Sequence, residues 1–113
     1  MAYMSNLIKD SQGEQTNPTT ATVMADTGAI TLPGFYEVIV TASASADAQF
    51  QLQHRDAANT AAASDVVGFY IPANTPGQFK DLVFINSSER VRVMMDANLT
   101  GTAWVNVTAV RVQ

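Results

Sequence analysis

The sequence predicts an all-β chain: a single-domain antiparallel β-sandwich, jelly-roll-like, of about eight short strands, preceded by an extended N-terminal arm. Three observations predict it. Apolar and polar residues alternate in run after run from Ala21 onward, the period of a strand with one buried face. Turn residues recur about every 8–12 positions. No segment carries the apolar spacing of an amphipathic helix.

The elements follow in order. Ala21–Met24 and Ala29–Leu32 read as short strands parted by the turn signal Asp26-Thr-Gly28. Pro33-Gly34 breaks the pattern, and Phe35–Ala42 then sets Tyr36, Val38, Val40 and Ala42 on one face. Gln49–His54 is the cleanest alternation, with Phe50, Leu52 and His54 on one face and Gln49, Gln51 and Gln53 on the other. Arg55–Asp65 is a long connection whose alanines would tolerate a single helical turn. Val66–Ile71, Gln78–Ile85 and Arg90–Met95 are further strands, the last with Val91, Val93 and Met95 inward and Arg90 and Arg92 outward. Thr102–Val112 is the longest, and its apolar phase shifts near Ala109, which predicts a β-bulge or a change of sheet. An immunoglobulin-like sandwich is the alternative, but its Cys–Trp–Cys hallmark is missing.

Composition bounds what such a chain can do. Its 113 residues make one domain, large enough for a real core but left with a stability of only about 5–15 kcal/mol. There is no cysteine and one histidine, so disulfides and thiolate or multi-histidine metal sites are ruled out. No cofactor is expected. Charged residues are only 14% of the chain, against roughly 25% in ordinary soluble domains. The surface must be built from Thr, Ser, Asn, Gln and Ala, which shed water easily against another protein. The net charge of −4 argues against a nucleic-acid partner. No apolar run approaches the ~20 residues that span a bilayer, so no membrane partner is expected. The opening Met1–Asp10 lacks a secretory pattern, which leads to an expectation of use without export. The glycosylation-type triplets at Asn86, Asn98 and Asn106 then read as by-products of a polar composition.

Residues that carry chemistry are sparse. His54-Arg55-Asp56 with Asn59 has the letters of a kinase catalytic loop, but only two residues separate Asp56 from Asn59, where that loop needs four. The ten acids are scattered singly, with no Ca²⁺-loop spacing. No nucleophile elbow accompanies the serines. The chain is therefore expected not to be an enzyme, with no catalytic residue and no small-molecule ligand. Trp104, alone of its kind, is a core or interface residue or, with Phe69 or Tyr70, a sugar platform. Arg90, Arg92 and Arg111 are the cations most suited to pair with acids on a partner.

Residues 1–20 stand apart. Ser11–Thr20 holds no apolar residue, and only Tyr3, Met4, Leu7 and Ile8 could anchor anything. The organisation expected is an arm over 1–20 and a sandwich over 21–113. Ordering an arm that does not pack on its own domain costs about 20–40 kcal/mol at ~1–2 kcal/mol per residue, so the arm is expected to be either disordered or ordered by a partner.

The arm Met1–Thr20, the run Val66–Gly77 and the Arg90–Val112 hairpin, in a short acidic cysteine-free sandwich, resemble the head decoration, or cement, proteins of tailed bacteriophages. The resemblance implies a homotrimer seated over capsomer junctions on the outside of the capsid, partnered by the major capsid protein and assembled in the host cytoplasm. It implies partner contacts through Tyr3, Met4, Leu7, Ile8, Arg90, Arg92 and Arg111. The rival function is a carbohydrate- or receptor-binding module such as a virion fibre tip; a weaker third is a small hydrolase built around His54.

Overall fold

The computed structural model describes residues 8–64 and 66–112. Its eight strands are β1 (Ile8–Thr16), β2 (Val23–Asp26), β3 (Gly34–Ala44), β4 (Ala48–Arg55), β5 (Val67–Ile71), β6 (Gly77–Ile85), β7 (Arg90–Met95) and β8 (Thr102–Arg111). They form two antiparallel four-stranded sheets, one ordered β1-β8-β3-β6 and the other β2-β7-β4-β5. The first strand pairs with the eighth, the second with the seventh, the third with the sixth and the fourth with the fifth. This is one long antiparallel ribbon rolled across two layers, the jelly roll that the turn spacing predicts.

The core lies between the sheets and comes from the alternating faces the sequence shows. Tyr36, Val38, Val40 and Ala42 of β3 and Ala103, Val105, Val107 and Ala109 of β8 face Phe50 and Leu52 of β4 and Val91, Val93 and Met95 of β7, all buried. Tyr36 also donates its hydroxyl to the Leu32 carbonyl, so its one polar atom is satisfied where it is buried. On the open side, where β5 and β6 are the sheet edges, Phe50, Phe69 and Phe79 stack in series with ring centroids 5.3 Å apart at each step.

Three local expectations change. Ala29–Leu32 is not a strand: only Ile30 bridges, donating its N–H to Glu89 O and accepting from Ser88 N–H, before Pro33 removes the next donor. The alanine-rich connection forms no helical turn among its described residues. Asp56 instead accepts the Thr60 N–H at 2.8 Å, and Ala63 N–H returns to His54 O at 2.8 Å, so the loop closes as an irregular extension of the β4–β5 hairpin. β8 has no bulge. Its register runs unbroken from Thr102 to Val110 against β1 and from Ala103 to Arg111 against β3. Ala109 keeps the inward phase and Val110 faces out, so the apparent shift is an apolar residue on an outer face.

The largest correction concerns the arm. Ile8–Thr16 is an edge strand, paired residue for residue with β8, so the sandwich does not begin at residue 21. Ladder pairing along β8 and close packing on β2 hold this strand in place. A methyl group at Gly13 would stand 2.0 Å from the Met24 carbonyl oxygen, a distance only glycine permits. Asn17–Thr20 is tied down as well: Asn17 N–H bonds Gly101 O, Leu99 N–H bonds Pro18 O, and Thr20 N–H bonds Asn98 Oδ1 at 2.7 Å.

Candidate functional site

Among the described residues, closing the core leaves the two outer sheet faces uncovered, and they differ. On the outer face of β1-β8-β3-β6, strand register places Phe84 beside Phe35 and Leu82 beside Glu37, with Glu37 beside Val110. Phe35 and Phe84 meet edge to face at 5.0 Å, and Val112 N–H bonds Phe35 O. Leu82 is 62% exposed, Val112 55%, Phe84 47% and Phe35 40%. Four large apolar side chains thus share one end of one face, which isolated surface residues do not do by chance of composition.

The other end of that face is different in chemistry. Trp104 sits between Glu14 of β1 and Ser43 of β3, half-buried, with a hollow on each side. One, of about 380 Å³, is lined by Glu14, Ser43, Ser45, Asn74, Thr102 and Trp104 among others; the second, of about 280 Å³, by Gln12, Gly13, Glu14 and Trp104. Trp104 does not share a cleft with the other two aromatics considered from sequence. Phe69 lies in the stack between the sheets, and Tyr70 is exposed on β5, across the sandwich.

The outer face of β2-β7-β4-β5 is polar. Arg92 Nε donates to Gln53 Oε1 at 2.9 Å, Gln53 Nε2 to Gln51 Oε1 at 3.0 Å, and Gln51 Nε2 to Asp96 Oδ1 at 2.6 Å. This chain across the sheet explains why Gln53, on an outward position, is buried. Arg90 bonds Asp26 at 3.4 Å. Directly opposite Arg90 lies Arg55, whose Nε bonds Asn59 Oδ1 at 3.2 Å. Partial burial, and then the charge of Arg55, lower the pKa of Arg92, as expected where like charges are set side by side. Arg55 therefore joins Arg90 and Arg92, a partner that no sequence spacing reveals because it comes from another strand. Arg111 does not join them. It ends β8 in the other sheet and donates to Pro33 O at 3.0 Å. Tyr3, Met4 and Leu7 lie outside the described residues; Ile8 opens β1 opposite Val110.

His54 is 6% exposed. Its Nδ1 lies 3.0 Å from Ser64 Oγ and its Nε2 2.8 Å from Glu89 Oε1, beside a cleft of about 460 Å³ walled by Val67, Leu82 and Phe84 among others. A serine, a histidine and a carboxylate do meet here, as the hydrolase reading requires. The atoms are arranged in the opposite sense to a serine hydrolase, where the carboxylate holds Nδ1 and the serine bonds Nε2. Glu89 Oε1 also accepts the Asn86 N–H at 2.8 Å. The cluster fastens the β4–β5 loop to the β6–β7 turn.

No protein-family model matches the sequence, and no curated protein does. Solved structures share the fold. The globular domain of zebrafish complement 1qA protein is similar over 88% of this chain and 94% of its own, with a TM-score of 0.58 at 14% identity. The Clostridium thermocellum xylanase 10B CBM22-1–GH10 modules, solved with xylohexaose, align over 96% of this chain with a TM-score of 0.63 at 12% identity. The bacteriophage CBA120 tailspike protein 4 enzymatically active domain aligns over 94% with a TM-score of 0.54 at 14% identity. This chain spans only 26% of the xylanase chain and 19% of the tailspike chain. At such identities the likeness establishes a common β-sandwich fold.

Proposed function

We propose that this protein is a non-catalytic structural module of a phage virion, a homotrimer on the outer surface of the capsid that stabilises the shell. The observation that carries the reading is the apolar end of the β1-β8-β3-β6 face, where Phe35, Leu82, Phe84 and Val112 stand exposed together. An apolar patch on a chain with few charges and no covalent staple gains most by packing on a copy of itself. With that end buried between copies, the opposite face remains outward, and its Arg55, Arg90 and Arg92 are placed to meet carboxylates of the major capsid protein. This face takes the gripping role that the sequence assigns to the arm over residues 1–20, of which Ile8–Thr16 form β1. The tailspike domain of similar fold supports a virion setting.

Light scattering tests the assembly. The protein should have a trimer's mass at micromolar concentration, and Leu82→Asp with Phe84→Asp should have a monomer's. Both side chains lie outside the core, so the variant should still fold, as circular dichroism checks, at some cost in stability from a carboxylate at position 82 set opposite Glu37 and the lost Phe35–Phe84 contact. A monomeric wild type would overturn the reading. For the capsid contact, co-sedimentation with capsids stripped of this protein should be lost in Arg92→Glu and retained in Arg111→Gln. Equal binding by both would remove the arginine face from the interface.

A further inference from the structure

We propose that the Trp104 end of the β1-β8-β3-β6 face is a binding site for a neutral oligosaccharide, laid across the indole with a sugar ring on each side. The proposal concerns a region well apart from the self-association patch. Ser43, opposite Trp104, is eight residues along β3 from Phe35, about 27 Å at ~3.4 Å per residue.

The site is built, not merely open. Asn74 has a left-handed backbone, with φ 56°, and its N–H is bonded to Ala44 O at 2.7 Å. The turn that carries it is held by Asp47 Oδ1, which accepts the Ala73 N–H at 2.9 Å. Ser45 Oγ accepts the Thr102 N–H at 2.9 Å. Gly101, with φ 138°, leaves no room for a side chain there, since a methyl group would stand 2.3 Å from Ser45 Oγ. The rim of the larger hollow is therefore fixed by hydrogen bonds from backbone N–H groups, two of them to the side-chain oxygens of Asp47 and Ser45. The smaller hollow is floored by Gly13.

The chemistry of the lining selects the ligand class. The side chains of Gln12, Glu14, Ser43 and Asn74 form no hydrogen bond with any described residue, so their donors and acceptors face water beside a large aromatic ring. A pyranose presents the matching pair: an apolar C–H face for the indole and a rim of hydroxyls that both donate and accept. A fatty ligand would strand these polar groups. An anionic one would meet Glu14 with no cation among the lining residues of either hollow. Each hollow has room for at least one pyranose ring, so the smallest ligand to fill the site spans both sides of Trp104.

The only tryptophan in the chain is itself the reporter. Xylohexaose, cellohexaose, maltohexaose and chitohexaose are titrated into the full-length protein while indole emission is followed, with calorimetry for the variants. At least one sugar should give a saturable change. Trp104→Ala should weaken its binding by about 10-fold or more, and Glu14→Ala and Asn74→Ala by about 3- to 10-fold each, the loss of one hydrogen-bonding partner. Trp104→Phe, which keeps an aromatic face, should retain part of the affinity. No saturable response from any of the four sugars up to ~10 mM would overturn the proposal. So would a response unchanged in both Glu14→Ala and Asn74→Ala, or tighter binding of polygalacturonate than of any neutral sugar. The mass of the assembly by light scattering should be the same for wild type and Trp104→Ala, which separates failure here from failure of the self-association reading.

Discussion

Replacing Gly13 by alanine tests the point on which sequence and structure differ most. If Ile8–Thr16 were a free arm, Gly13→Ala would cost nothing and would even stiffen the unfolded chain slightly. In the structure the added methyl group meets the Met24 carbonyl oxygen at 2.0 Å and its carbon at 3.2 Å. Both are backbone atoms, so no side-chain rotation relieves the clash. β1 must move off β2 by about 1 Å or more, an overpacking cost of roughly 1–3 kcal/mol. At roughly 4 °C or more per kcal/mol in a domain of this size, the melting temperature should fall by about 4–15 °C. Circular dichroism measures the fall, and amide hydrogen exchange locates it, with protection lost first between residues 8 and 16. A wild-type melting temperature together with wild-type protection of these amides would refute the placement of β1. Lost protection without loss of stability would show that β1 docks but contributes nothing to the fold.

Three further outcomes follow from the same structure. Deleting residues 1–20 strips β8 of a paired strand and should produce aggregation or a large loss of denaturant resistance in urea unfolding; unchanged urea resistance would remove β1 from the fold. His54→Ala should lower unfolding free energy by about 1–3 kcal/mol, because Ser64 and Glu89 lose a buried partner, while trimer mass and capsid binding stay unchanged; a loss of capsid binding in a folded variant would make His54 functional rather than structural. Asp47 is held below the ordinary carboxylate range chiefly by the Ala73 N–H, and Asp56 chiefly by the Thr60 N–H. Their stabilising effect is fully present above the ordinary value of 3.8 and is lost as pH falls through the lower folded values. Acid melts should therefore lose stability below that point, with a shallower slope in the Asp47→Asn, Asp56→Asn double variant; an identical slope would remove these carboxylates from the account.

The sequence by itself determined the class, the core and every strand but β1, with Ala29–Leu32 read as a strand it does not form. A two-residue period survives translation into structure because it depends only on the local alternation of the backbone. Tyr36, Val38, Val40 and Ala42, Phe50 and Leu52, and Val91, Val93 and Met95 all face inward as their spacing indicates. What alternation does not encode is which strand lies beside which. Arg55 stands opposite Arg90, Trp104 between Glu14 and Ser43, and His54 between Ser64 and Glu89, through pairings across tens of residues, so each candidate site was decided by tertiary structure. The same holds for β1. Its polar run carries no apolar period, since ladder hydrogen bonds and a glycine's close approach to Met24 hold it in place, and neither leaves a mark in a hydrophobic pattern. Val110 shows the converse. An apolar residue on an outer face looks like a slipped register until the neighbouring strands show that the ladder is continuous.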